Sequence, residues 1–125
     1  MKVAELMQTG LKTISADSTI ADAVVDLAAS QVSALPVIDR YGRAVGVLST
    51  REVLKAESEH VPEETRVLEV MASWPATIDP DLEARQAAQE MLYLNVQRLF
   101  VEYDGRLVGV ISQTDIVGAV ATSRV

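Results

Sequence analysis

The chain is predicted to fold as an α/β (α+β) protein built from two copies of a β-α-β-β-α unit, and three observations carry that prediction. First, the sequence repeats itself. At an offset of 64, residues 3–39 align with 67–103 through ten identities: Val3, Glu5, Met7, Thr13, Ile14, Asp17, Ala23, Val32, Leu35 and Val37 with their partners. After a one-residue deletion, residues 42–56 align with 105–119 at an offset of 63 through seven more, including "GRAVGVLS" against "GRLVGVIS". A period of tens of residues marks a repeated structural unit. Second, the hydrophobic period changes in the same order in both copies. Third, 125 residues that are 49% hydrophobic suffice to bury a core, and there is no cysteine to supply cross-links instead.

Each copy opens with a short helical turn, "VAELM" or "VLEVM". "LKTIS" and "PATID" are short, β-branched and end in turn formers, which predicts brief strands. Thr19–Ser30 carries Ile20, Ala23, Val24, Leu27 and Ala28 at helical spacing, and Leu82–Asn95 repeats this with Ala84, Ala87, Ala88, Met91 and Leu92. "ALPVID" and "RLFVEY" are strands, each followed by a glycine turn and a further strand, "AVGVLS" or "LVGVIS". Ser49 and Ser112 end those strands and are followed three residues later by Glu52 and Asp115, the spacing of a capping box, so a helix starts at each. The repeats are bounded at 1–57 and 67–125. The polar, acidic stretch 58–66, broken by Pro62, is the expected linker. The first long helix is apolar beyond one face, through Ala21, Ala23, Val24, Val25, Leu27, Ala28 and Ala29, more width than one sheet covers. A homodimer, or burial against the other repeat, is expected.

Composition and motifs narrow the function. The absence of cysteine removes thiolate metal sites and thiol nucleophiles and suits a reducing, cytoplasmic interior. A formal charge of −7 disfavours nucleic acid as a partner. No apolar run approaches the roughly 18 residues of a membrane span, and the N-terminus lacks the pattern of a signal peptide. No phosphate-binding loop, H-E-x-x-H or G-x-S-x-G occurs, so catalysis is not expected.

The duplicated strings "TISADSTIADAV", "TIDPDLEARQAA", "VSALPVIDRYGRAVGVLSTREV" and "VQRLFVEYDGRLVGVISQTDI" resemble tandem CBS domains, the module named after cystathionine beta-synthase, over nearly the whole chain. "VSALPVID" is also similar to the gamma subunits of AMP-activated protein kinase, a nucleotide-binding branch of that family. The resemblance implies two repeats packed by pseudo-twofold symmetry around two clefts, each able to hold an adenosyl ligand: AMP, ADP, ATP, S-adenosylmethionine or NAD. It implies one cleft from Lys12, Thr13, Ser33 and Ala34 with Ser112, Thr114 and Asp115, where the carboxylate accepts from the ribose hydroxyls. Gln97 and Arg98 fall where relatives often carry a His-Arg pair near phosphate. The second cleft would draw on Ala76, Thr77, Gln97 and Arg98 with Ser49, Arg51 and Glu52. There the extra methylene of Glu52 is expected to push its carboxylate into the ribose position or onto the backbone, impairing the site. No obligatory cofactor follows.

Each signal has a plainer alternative. Ser49 with Glu52 and Ser112 with Asp115 are also simple helix caps worth roughly 1 kcal/mol each. Arg98 is equally a surface residue paired with an acid. Trp74 is placed at a dimer contact or near an adenine, His60 is solvated and takes no role, and Glu57, Glu59, Glu63 and Glu64 form a solvated stretch. Two functions therefore lead: a regulatory, energy-sensing module for an adenosine-containing metabolite, acting through an unknown effector protein, or a ligand-free dimerisation or interaction scaffold; a small enzyme acting on a nucleotide is a distant third.

Overall fold

The computed structural model describes residues 1–30, 32–73 and 76–122; Trp74 lies outside them. Among the described residues there are two three-stranded sheets and five α-helices, the mixed α/β architecture that the repeat predicts. The chain divides into two compact units, one formed by residues 12–74 and the other by 1–11 with 75–125.

In the 12–74 unit, β1 (Ile14–Ser15) runs parallel to β2 (Ala34–Ile38), which pairs antiparallel with β3 (Ala44–Ser49). Helix α2 (Ile20–Ser30) connects the parallel pair, and α3 (Thr50–Ser58) leaves β3 directly. The second unit repeats this with β4 (Thr77–Ile78), α4 (Ala84–Leu94), β5 (Arg98–Tyr103), β6 (Arg106–Ser112) and α5 (Gln113–Ala121). Even the ladder irregularity recurs, between Val37 and Ile38 and between Val101 and Glu102. Helix α2 starts at a reciprocal pair, Thr19 N–H to Asp22 Oδ2 and Asp22 N–H to Thr19 Oγ1, both 3.2 Å. Helix α4 ends where Asn95 turns left-handed at φ 56°, a conformation asparagine tolerates.

A compact unit is not a sequence repeat. The helical turn of the first repeat, α1 (Val3–Leu6), sits in the unit built from the second, where Val3 N–H donates to Leu82 O (2.8 Å) and Ala4 N–H to Pro80 O (2.9 Å). Its counterpart, the 3-10 turn Val67–Glu69, sits in the unit built from the first, with Val67 N–H donating to Ser18 O (2.7 Å). Each core therefore takes one valine from the other repeat. Val3 joins Ile78, Ala87, Met91, Leu99, Val101, Ile111 and Ile116; Val67 joins Ile14, Ala16, Ala23, Leu27, Leu35, Val37 and Leu48.

The exchanged segments then cross β3 and β6. Ala72 and Val47 exchange two backbone hydrogen bonds of 2.9 Å, and Gln8 and Val110 exchange two of 2.9 and 3.1 Å. The crossing is close enough to require glycine. A Cβ on Gly46 would stand 2.6 Å from both Ala72 O and Met71 Sδ, and one on Gly109 would stand 2.7 Å from Met7 Sδ and 2.8 Å from Gln8 O.

The two hairpins explain the change of offset. β5 and β6 are joined through Asp104 and Gly105, both at positive φ, a two-residue turn whose twist matches the strands. β2 and β3 need a longer connection, closed by Asp39 Oδ1 accepting from Tyr41 N–H (2.9 Å) and Arg43 N–H (3.0 Å). The stretch around Pro62 is exposed and also serves the fold: Glu63 O and Thr65 O accept the Ala21 and Ile20 amides at the start of α2 (3.1 and 2.9 Å). On α2, Val24 and Val25 remain 43% and 65% exposed, so the wide apolar face is not fully covered within the chain. No helix among the described residues is long and apolar enough to cross a membrane.

Candidate functional site

Both S-x-x-[D/E] segments sit where a strand becomes a helix, because the strand's last serine leaves its carbonyl and hydroxyl at the first helical turn. At the start of α5, Ser112 Oγ accepts from Asp115 N–H (3.2 Å), and Asp115 Oδ2 accepts from Ser112 N–H (2.8 Å). This is a complete capping box. The second carboxylate oxygen is not used in it; Oδ1 accepts from Gln8 Nε2 at 3.3 Å. Ser112 and Asp115 are half-buried, whereas Thr114 is exposed on the same helical turn.

Arg98 opens β5 directly opposite Ser112 in the strand register, and Gln97 O accepts from Gln113 N–H (2.9 Å). Gln97, Arg98, Ser112 and Asp115 are thus gathered where β5 begins and β6 ends. Arg98 is exposed and makes no ion pair among the described residues, which leaves its planar guanidinium open to an anion.

At the start of α3 the same motif closes on itself. Glu52 Oε2 accepts both from Ser49 N–H (3.1 Å) and from the Ser49 hydroxyl, while Ser49 Oγ accepts from Arg51 N–H (3.2 Å). Of the two positions expected for the longer acid, the backbone is the one seen; Asp115 reaches the equivalent amide too, and what differs is that Glu52 also takes the serine hydroxyl. Glu52 also lines a cavity of about 400 Å³ with Glu59, Glu69 and Lys55, where carboxylates outnumber the one ammonium and an anionic ligand is disfavoured. Ala72, at the position equivalent to Gln8, has no polar side chain to offer.

The remaining residues expected alongside Asp115 belong to the 12–74 unit. Lys12 is exposed with Nζ 3.9 Å from an Asp26 oxygen, Thr13 is half-buried ahead of β1, Ser33 O accepts from Thr50 N–H (3.0 Å), and Ala34 pairs with Ser49. Ala76 and Thr77 lead into β4 in the other unit. Gln8 was not among the residues singled out from the sequence. Its signal was present in the repeat alignment, where Gln8 faces Ala72, but its significance depends on the exchange of the lead-in segments.

Comparison with known proteins agrees with this architecture. The CBS domain matches the chain twice, at residues 3–59 and 60–122. A CBS domain-containing protein of Dictyostelium discoideum is 31% identical, over 92% of this chain and 88% of the relative. The inosine-5'-monophosphate dehydrogenase of Methanocaldococcus jannaschii is 29% identical over 93% of this chain, which spans 23% of that longer protein. The crystal structure of CBSX2 in complex with AMP superposes with a TM-score of 0.81 at 25% identity, covering 99% of this chain and 98% of the other. With two matches that together span nearly its full length, the chain belongs to the CBS domain family as a tandem pair.

Proposed function

We propose that this chain is a regulatory, non-catalytic module that binds an adenosine-containing metabolite through the site carrying Asp115. The observation that carries this reading is the division of labour on that carboxylate: Oδ2 completes the α5 cap, while Oδ1 meets the carboxamide of Gln8 and no other donor among the described residues. A carboxylate left accessible in this way accepts hydrogen bonds from ribose hydroxyls. Arg98, opposite Ser112 in the strand register and without an ion pair among the described residues, suits phosphate, and the resemblance to CBSX2, crystallised in complex with AMP, supports the ligand class. Ser112, Thr114 and Asp115 are assigned to the ribose end, Gln97 and Arg98 to phosphate, and Lys12, Thr13, Ser33 and Ala34 to the adenine end. The Glu52 site is assigned no ligand, because Oε2 is drawn onto Ser49 and the cavity that Glu52 lines is dominated by carboxylates. Occupancy is passed to an effector protein by differential affinity for two packing arrangements, and the setting is cytoplasmic.

The test is thermal unfolding of the wild type, Asp115→Ala and Glu52→Ala against AMP, ADP, ATP, S-adenosylmethionine and NAD. A ligand at 100 times its Kd stabilises the native state by about 2.7 kcal/mol, a shift of several degrees. The wild type and Glu52→Ala are expected to shift with at least one compound and Asp115→Ala with none; equal shifts in the wild type and Asp115→Ala overturn the assignment.

A second reading is favoured by apolar helix surface. Val24 and Val25 on α2, Leu92 and Tyr93 on α4 (77% and 85% exposed) and Val117 and Val120 on α5 remain uncovered. Such surface is the usual mark of a protein interface, and a homodimer would cover it. Sedimentation equilibrium of the wild type against Val25→Glu with Leu92→Glu checks this. A dimer that shows no ligand response would establish the scaffold reading.

A further inference from the structure

We propose that Gln8 is a positioning residue that makes the Asp115 site selective for a vicinal diol. The inference rests on the adenosine-ligand reading above. Its basis is the geometry around one carboxylate. The Gln8 backbone is clamped to Val110 by two hydrogen bonds, 2.9 and 3.1 Å, and Val110 lies two residues before Ser112 on β6. That clamp brings the carboxamide to the carboxylate, where Nε2 donates to Asp115 Oδ1 at 3.3 Å while Ser112 N–H holds Oδ2 at 2.8 Å.

A carboxylate offers about four lone-pair positions, two on each oxygen. The two donors occupy one on each, which leaves one on each and stops the group from turning about its Cβ–Cγ bond. Two acceptor positions on two fixed oxygens match two adjacent hydroxyls, such as the 2'- and 3'-hydroxyls of a ribose. A ligand with only one of those hydroxyls gains little from the fixed orientation, because a single hydroxyl can follow a rotating carboxylate. The equivalent residue in the other unit is Ala72, held by the same backbone pairing to Val47 and unable to position anything. Gln8 is also exposed, so its substitution leaves the core intact.

The experiment is calorimetric titration of the wild type, Gln8→Ala and Gln8→Met with AMP and with 2'-deoxy-AMP. Gln8→Met keeps the bulk of the side chain and removes the carboxamide that supplies the donor. In both variants the Kd for AMP is expected to rise about tenfold, the size of one hydrogen bond to a charged group, and that for 2'-deoxy-AMP by less than about twofold. The preference for ribose therefore collapses. No change with AMP, or an equal loss with both ligands, overturns the positioning role while leaving the adenosine reading in place. A wild type that binds neither nucleotide, nor ADP, ATP, S-adenosylmethionine or NAD, overturns both.

Discussion

The start of α3 and the start of α5 are the same device built twice, and they differ by one methylene and one neighbour. Both place a serine at the end of a strand and an acid three residues later. With aspartate, the side chain reaches the serine amide through one oxygen and presents the other to Gln8. With glutamate, one oxygen takes both the amide and the hydroxyl of the serine, and the neighbour is an alanine. The two caps thus share one motif, and the length of the acid decides how its acceptor positions are distributed: one oxygen of Glu52 takes both donors, whereas each oxygen of Asp115 takes one.

The largest test of this paired design is steric and asks whether the two crossings are equally tight. Gly46→Val and Gly109→Val each force a side chain into backbone and methionine sulfur that already lie under 3 Å from the would-be Cβ. Each is expected to cost about 3 kcal/mol, the upper part of the range for overpacking, with urea unfolding as the measurement. A loss at one glycine only would show that the exchange of lead-in segments is unequal in the two units.

The caps come next. Ser49→Ala and Ser112→Ala each remove a helix cap, at a cost of about 1 kcal/mol. Ser112→Ala is expected also to weaken AMP binding and Ser49→Ala to leave it unchanged. Comparing the two melting shifts with the two affinities separates the cap from the site. If both serines affect binding alike, the contrast drawn between the two helix starts is wrong.

The smallest effect concerns the hairpins. The Arg43 amide foremost, with the Tyr41 amide and the Arg43 charge, holds the Asp39 carboxyl below its ordinary value, and desolvation opposes them. A carboxylate depressed in the folded state stabilises above its unfolded pKa and loses that contribution as pH falls through the folded one. Asp39→Asn is therefore expected to lie slightly below the wild type in stability at neutral pH. The gap should narrow only below about pH 3.9, as read from urea midpoints across an acid series. The β5–β6 turn relies instead on Asp104 and Gly105 at positive φ.

Much of the fold was legible because its signals are local and occur twice. The helical spacing of Ile20, Ala23 and Leu27 and of Ala84, Ala87 and Met91 names the buried faces of α2 and α4, and all six residues are buried. The glycines of "VGV" were legible as strand residues but not as crossing points, because what approaches them comes from about 25 residues downstream of Gly46 or a hundred upstream of Gly109. The brief strands are shorter than their β-branched strings imply, two residues each, since only Ile14–Ser15 and Thr77–Ile78 find a parallel partner.

By itself the sequence determined the repeat, the order of elements, the capped starts of α3 and α5 and the membership in the CBS family, since each depends on residue type and spacing along one stretch of chain. Only the tertiary structure decided which repeat each lead-in segment completes. Val3 and Val67, and Met7 and Met71, are identical in the two copies, so either docking buries the same apolar groups and no local preference distinguishes them. The choice is made by chain connection and packing, and it brings Gln8 rather than Ala72 to Asp115.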